Sequence, residues 1–291
     1  MTTENLQKFA WLSIATSLAT IVLKFGAFSL SNSISLLSDA IESLVNLAAG
    51  LIALWALWLS GQPADENHAY GHHKAEYFSS GAEGVLILVA AVSIIWTAVG
   101  RFFNPAVLEQ LGWGLAISFV ASGCNLVTAR ILIAVGKRRD SITLEADGHH
   151  LMTDGWPSAG LGAGLLSGRV VPGLAWLDPL LAILVGLNIM TTAYKLLRRS
   201  ADGLMDAALP PAEVEELRAI VTGPLADSGE ILDLRTRKSG AQRFVEITVG
   251  LPAAMTVGAS HRLCDEIEAA IHRRFTPAPT VVVHVEPRGA G

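Results

Sequence analysis

The sequence predicts a two-part protein, in which an all-α membrane domain of six spanning helices (residues 1–200) precedes a small α+β domain (residues 203–291). Three observations predict this fold class. Six long apolar stretches lie in the first part. Only 16% of the 291 residues are charged, against about 25% in a typical soluble domain. After about Ser200, acids and bases are interspersed as in ordinary soluble segments.

Each of the six stretches has about the 20 mostly apolar residues that a helix needs to cross the hydrocarbon core. The stretches cover about 9–30, 34–60, 78–102, 109–136, 141–167 and 174–196. Polar residues precede the first one, and no small-residue cleavage pattern follows it. It is therefore predicted to be a retained helix and not a signal peptide.

Basic residues between the stretches predict the orientation of the chain. If the spans alternate, one side receives Lys8, Lys74, Lys137, Arg138, Arg139, Lys195, Arg198 and Arg199. The opposite side receives Arg101 and Arg169. Because short cytoplasmic loops carry the excess of Lys and Arg, both termini and the C-terminal domain are predicted to be cytoplasmic.

Charged and polar side chains interrupt the second and fifth stretches at matching intervals of i, i+3 and i+7, which places each set on one helical face. The two sets are Asp39, Glu42 and Asn46, and Asp147, His150 and Asp154. An ionisable residue at the centre of a bilayer costs at least about 2.5 kcal/mol, so each set is predicted to be functional.

If these two helices face each other, four side chains can surround one ion: Glu42, Asn46, His150 and Asp154. One imidazole with oxygen ligands suits Zn²⁺ and its first-row neighbours, and two carboxylates largely neutralise a divalent charge. Asp39, Asp147 and His149 are expected around the ion without contacting it. The alternative is a buried polar network that only holds the helices together.

The segment between the second and third stretches combines a carboxylate with imidazoles at short spacing. Asp65, His68 and His72 are its candidate metal ligands. A solvated polar turn whose histidines cap helices explains the same spacing equally well, so both interpretations stay open.

Three motifs resemble those of the cation diffusion facilitator family. They are Asn-His-Ala-Tyr-Gly-His-His-Lys-Ala-Glu at 67–76, Ser-Leu-Leu-Ser-Asp-Ala at 35–40, and His150-x-x-x-Asp154. The resemblance covers essentially the whole chain. It implies a homodimeric antiporter of a bacterial inner membrane, without organic cofactor or enzymatic activity, which exchanges a divalent metal ion for protons by alternating access.

The same resemblance implies that Glu42, Asn46, His150 and Asp154 form the transport site, and that Asp65, His68 and His72 form a second site. Zinc-moving relatives typically carry His or Asp, then Asp, where this chain has Glu42 and Asn46. Zn²⁺ is the expected substrate, with Fe²⁺, Co²⁺, Ni²⁺, Cd²⁺ and Mn²⁺ as further candidates.

The C-terminal domain is predicted to follow an αββαβ order, which resembles the metallochaperone-like domain of the same family. The elements are a helix from Pro210 to about Val221, strands Ile231–Lys238 and Arg243–Leu251, a helix Ser260–Phe275 and a strand Thr280–Val285. Its candidate metal ligands are His261, His284 and Glu286. Leu232 and Thr248 occupy positions where relatives with a two-metal centre carry ligands, so at most a regulatory site for one ion is expected.

Other function classes fit the sequence less well than transport. A net charge of −5 argues against nucleic-acid binding, which requires a basic face. An intramembrane metalloenzyme would need an activating base and an open metal position, and the sequence has no HExxH-type motif or nucleophile triad. A non-transporting metal sensor or scaffold partner is the principal alternative.

Overall fold

A computed structural model describes residues 4–31, 34–103, 113–153, 177–226 and 228–288. The chain divides into two compact units, Met1–Ala201 and Asp202–Gly291. The predicted fold class is confirmed, because long apolar helices make up the first unit and a three-stranded sheet with helices makes up the second.

The N-terminal unit consists of long helices. They are α1 (Glu4–Ser31), α2 (Ile34–Ser60), α3 (Ala75–Phe103), α4 (Trp113–Arg139), α5 (142–153 in the described part) and α6 (Leu177–Leu204). All except α5 are long and apolar enough, as described, to span a membrane. The predicted fifth span continues to 167, and its part after 153 lies outside the described residues.

The helices extend beyond the apolar stretches that predict them. α1 starts at Glu4 where the apolar pattern starts near residue 9, and α3 starts at Ala75 where the pattern starts near 78. Hydropathy marks only the part of a helix that crosses the hydrocarbon, whereas backbone hydrogen bonding continues into the polar flanks.

Buried apolar side chains bring four helices of the unit together. Their shared core is Ala10, Leu57, Ala129, Leu132, Leu144 and Leu151, from α1, α2, α4 and α5. This packing places α5 against the other three helices, so polar residues on α5 lie inside the unit.

Two glycines allow α4 and α5 to approach closely. A Cβ at Gly136 would lie 2.8 Å from Cγ of Glu145. A Cβ at Gly148 would lie 2.7 Å from Cγ1 of Ile133 and 2.9 Å from the carbonyl oxygen of Ala129. Small residues commonly permit such contacts between membrane helices.

Hydrogen bonds attach the first turns of α5 to α3 and α6. The Ser141 hydroxyl donates to Oε2 of Glu76 at 2.6 Å, and Nη1 of Arg199 donates to Oε1 of Glu145 at 3.0 Å. Glu76 is buried, so the Ser141 bond offsets part of the cost of burying its carboxyl group.

The C-terminal unit has the predicted αββαβ order. Its elements are α7 (Pro211–Leu225), β1 (Glu230–Ser239), β2 (Gln242–Leu251), α8 (Val257–Arg274) and β3 (Thr280–Pro287). The sheet order is β1-β2-β3, with β1 antiparallel and β3 parallel to β2. Side chains from α7, α8 and β2 form the core, among them Leu217, Val221, Ile247, Ile267 and Ile271.

Two local features fix the bounds of these elements. α8 starts at Val257 and not at the predicted Ser260, because Oγ1 of Thr256 accepts a hydrogen bond from the Ala259 amide at 3.3 Å and caps the helix. The predicted hairpin turn contains Gly240 at φ 57°, a left-handed conformation that glycine adopts without strain.

Candidate functional site

The α2 set lies on a continuous helix. Asn46 is 1% exposed and therefore buried in the N-terminal unit, whereas Glu42, one turn earlier, is exposed. The side chain of Asp39 lies outside the described part of the chain. The α2 set therefore has a buried amide at Asn46 and an exposed carboxylate at Glu42.

The α5 set is buried where it is described. His150 is 5% exposed and Asp147 is fully buried. His149 is half-buried, and its carbonyl oxygen accepts a hydrogen bond from the Thr153 hydroxyl at 3.0 Å. Asp154, the predicted fourth ligand, lies outside the described residues.

The buried imidazole of His150 is chemically suited to bind a metal ion. Within the described part of the chain, neither its Nδ1 nor its Nε2 has a hydrogen-bond partner. A buried polar group without a partner is costly, and a metal ion is one species that can satisfy a neutral imidazole nitrogen.

Sequence reasoning missed one intramembrane carboxylate, Glu83 on α3. Glu83 is fully buried, and the Ser79 hydroxyl donates to its Oε1 at 3.2 Å. The signal was present in the sequence, because Glu83 stands inside the third apolar stretch. An acid in such a position is a functional candidate by default.

The predicted loop ligands lie together. Asp65, His68 and His72 each place one potential ligand atom within 4.8 Å of the other two. Among the described residues, this is the one group of three or more His, Cys, Asp or Glu side chains close enough to hold a metal ion. Nδ1 of His68 is 3.2 Å from Oδ1 of Asp65, and Nε2 of His72 is 3.3 Å from Oδ2. Carboxylate oxygens and imidazole nitrogens are among the ligand types that bind Zn²⁺.

Backbone hydrogen bonds hold the Asp65 carboxylate in place. The amides of His68 and Asn67 donate to its Oδ1 at 2.6 and 2.9 Å. The His68 amide is the main cause that holds the pKa of Asp65 below its usual value, with the His68 side chain and the Asn67 amide adding to it. Asp65 is thus kept in the ionised form that binds metal.

A tight turn brings His72 back to Asp65. Gly71 adopts a left-handed φ of 79°, and its amide donates to the His68 carbonyl at 2.9 Å. The His68 and His72 rings then lie 4.4 Å apart between centroids. His72 is also joined to the start of α3, because the Ala75 amide donates to its carbonyl at 2.9 Å.

The C-terminal candidates do not come together as one group in the described residues. His261 lies on α8, with Nε2 3.8 Å from the Asp265 carboxylate. His284 and Glu286 are exposed on β3, with Nε2 and Oε1 3.6 Å apart. Leu232 is exposed and Thr248 pairs with His284 in the sheet. A metal site formed by His261, His284 and Glu286 stays a prediction.

Comparison with known families assigns the chain. Residues 10–205 match the family described as "Cation efflux transmembrane domain", and residues 209–288 match the family described as "Cation efflux protein, cytoplasmic domain". The chain belongs to the cation diffusion facilitator family. Members of this family are transporters, which agrees with the absence of an enzymatic motif in the sequence. The family suggests a divalent metal ion as substrate, and the match of the cytoplasmic domain supports homodimer formation.

Two relatives that match over most of the chain agree with this assignment. An uncharacterized transporter of Synechocystis sp. is 44% identical over 288 residues, which cover 99% of this chain and 92% of that protein. The cation-efflux pump FieF of Escherichia coli is 32% identical over 280 residues, 94% of this chain and 90% of FieF. A solved structure of CzrB in a zinc form has 38% identity over 29% of this chain and 94% of that one, with a TM-score of 0.27.

Proposed function

We propose that this protein exports divalent transition-metal ions from the cytoplasm in exchange for protons, by alternating access, with Zn²⁺ as its main substrate. One observation carries the proposal within this family of cation-efflux transporters. The buried imidazole of His150 has no hydrogen-bond partner in the described part of the chain, and a bound metal ion would satisfy one of its nitrogens.

The transport site would consist of Glu42 and Asn46 from α2 and His150 and Asp154 from α5. The buried positions of Asn46 and His150 support it. One imidazole nitrogen with three oxygen ligands is compatible with Zn²⁺, and also with Fe²⁺, Co²⁺, Ni²⁺, Cd²⁺ and Mn²⁺. The shared core of α1, α2, α4 and α5 would hold the two ligand-bearing helices in one bundle.

Proton coupling would follow from competition for the same side chains. Metal binds the carboxylates and the neutral imidazole, and protons bind these groups when metal leaves. On the acidic side of the membrane the ligands would be protonated and release the ion. Glu42, His150 and Asp154 can exchange protons in this way, whereas Asn46 cannot.

The loop site would bind a metal ion next to the start of α3. The joint position of Asp65, His68 and His72 supports this role. The excess of basic residues on the same side supports a cytoplasmic position for this loop and for both termini, in a bacterial inner membrane.

One feature favours the second candidate, a metal sensor or scaffold partner that does not transport. Compared with an Asp at the same position, Asn46 removes a charge and a proton-binding group from the transport site. Protons then compete less strongly with the metal ion, so acidification releases the ion less readily. Transport by the purified protein alone separates the two functions.

Uptake by reconstituted protein tests the role of His150. The initial rate of Zn²⁺ uptake into proteoliposomes should fall at least about 100-fold in His150→Ala, since even groups that only support a metal ligand contribute 10–100-fold. His272→Ala is the matched control, because its imidazole lies in the C-terminal unit and contacts the Pro279 carbonyl. Equal rates for His150→Ala and wild type would refute the assigned site.

A further inference from the structure

Glu83 is a carboxylate inside the membrane domain that the proposed transport site does not use. It is fully buried on α3. Oε1 accepts a hydrogen bond from Ser79, whereas Oε2 has no hydrogen-bond partner in the described part of the chain. One hydroxyl compensates little of the cost of burying a carboxylate charge in a bilayer.

Asp147 on α5 is a second carboxylate in the same condition. It is fully buried, and neither of its oxygens has a hydrogen-bond partner among the residues that the structure describes. The starts of α3 and α5 are joined, because the hydroxyls of Ser141 and Thr143 donate to the carboxylate and the carbonyl of Glu76. Glu83 follows Glu76 by seven residues and Asp147 follows Thr143 by four, so each acid lies on the face of its helix that meets the other helix. The two acids therefore form a pair between α3 and α5.

Among the residues that the structure describes, neither acid has a cationic partner. Within the described ranges, neither acid forms an ion pair with Lys, Arg or His. Leu197 of α6 packs at Gly84, next to Glu83, and Ala129 and Ile133 of α4 pack at Gly148, next to Asp147. On α2, which packs against α3, the described titratable side chain is Glu42, and it is exposed.

Two buried carboxylates in Coulombic reach of each other cannot both ionise without a cation. We propose that Glu83 and Asp147 form a proton-binding site inside the membrane domain, in which the two carboxylates together hold one exchangeable proton. The inference rests on the proposed proton-coupled export, because it assigns one of the exchanged protons to this pair.

The pair would replace the titratable group that Asn46 lacks. Asp147 precedes His150 by three residues on α5, which is about 4.5 Å along the helix. A divalent ion bound at the transport site would favour ionisation of the pair and release of its proton. Reprotonation of the pair after the ion leaves would complete the exchange.

Infrared spectroscopy of the purified full-length protein tests the pair independently of transport. Wild type at pH 7 should show the carbonyl band of a protonated carboxyl group, and Zn²⁺ should remove that band. Glu83→Gln and Asp147→Asn should each abolish it. Glu145→Gln is the matched control, because this neighbouring acid on α5 is paired with Arg199, and it should keep the band. A missing band in wild type, or a band that survives in both pair variants, overturns the proposal.

Steady-state accumulation then counts the coupled protons. With the membrane potential clamped at zero, each coupled proton contributes about a tenfold accumulation of metal for a gradient of about one pH unit. Glu83→Gln and Asp147→Asn should each lower the accumulation ratio of Zn²⁺ about tenfold. The double variant should lower it no further, because the two acids share one proton.

The outcomes separate this inference from the proposed function. Proton-driven accumulation in wild type that is unchanged in both pair variants overturns the pair and leaves the proposed function intact. A wild type that accumulates no Zn²⁺ under the gradient overturns the proposed coupling, and the pair's part in transport with it. Should Glu83→Gln fail to fold, Asp147→Asn alone supplies the same test.

Discussion

Individual side chains decide the chemistry of the proposed transport site. His150 is a buried imidazole without a hydrogen-bond partner in the described residues, and Asn46 is a buried amide. The amide binds metal through a neutral oxygen, so the site has one negative charge fewer than a site with a carboxylate there. The identity of residue 46 should therefore control both metal affinity and proton competition.

Asn46→Asp tests this control directly. The added carboxylate should strengthen Zn²⁺ binding at least about tenfold at alkaline pH, and binding should weaken more steeply as pH falls, because one more proton competes with the ion. Calorimetric titration of the purified protein across pH measures both effects. Gln242→Glu, which adds a carboxylate to the C-terminal unit, should leave the curve unchanged. Identical curves for Asn46→Asp and wild type would contradict the account.

The loop site makes a separate prediction about pH. Hydrogen bonding lowers the pKa of Asp65, so this carboxylate stays ionised in acid that already protonates imidazoles. Acidification should abolish metal binding through His68 and His72. Asp65→Asn should weaken binding at every pH, because the ionised ligand is lost.

Metal titration in a His150→Ala background measures this loop binding. Glu66→Gln is the matched control, because Glu66 is an exposed acid adjacent to Asp65. Equal metal affinity in Asp65→Asn and wild type would contradict the assignment of Asp65 as a ligand.

At the scale of helices, the close packing of α4 and α5 determines where the α5 ligands lie. Gly148→Ala should destabilise the protein by about 1–3 kcal/mol, because its Cβ would overlap Ile133 and the Ala129 carbonyl. Gly123→Ala on α4 meets no atom within 4 Å and should leave stability unchanged or raised. Thermal unfolding in one detergent compares the two. An equal melting temperature for Gly148→Ala and wild type would refute the packing argument.

The elements were largely predictable because each leaves a periodic or compositional signal in the sequence. Apolar stretches predict the membrane helices, and alternation predicts β1 and β2. The errors fall at the ends: α1 starts at Glu4 and α8 at Val257, where backbone hydrogen bonds and a cap extend a helix past its apolar pattern.

The sites were less predictable because tertiary packing creates them. Spacing identified Asp65, His68 and His72 as candidates. It did not predict the left-handed turn at Gly71 that brings them together. The approach of Glu83 to Asp147 depends on how α3 and α5 pack, which hydropathy does not specify. The C-terminal candidates His261, His284 and Glu286 do not come together as one group in the described residues, and a metal site there stays a prediction.

For the whole molecule, we expect one chain to combine metal transport in the membrane domain with dimer formation and regulation by the C-terminal domain. The membrane domain belongs to a cation-efflux family, and the match of the second domain supports a dimer. Metal bound at the loop or in the C-terminal domain would bias transport only if it binds the alternating states with different affinity.

Metal uptake under a pH gradient tests the central claim most directly. Proteoliposomes that contain the purified protein and are acidic inside should accumulate Zn²⁺, and Asp154→Ala should abolish the accumulation without loss of the folded protein. Collapse of the gradient should abolish it as well. If no metal moves while the protein still binds Zn²⁺, the account of a proton-coupled exporter is contradicted, and a metal sensor or scaffold becomes the better description.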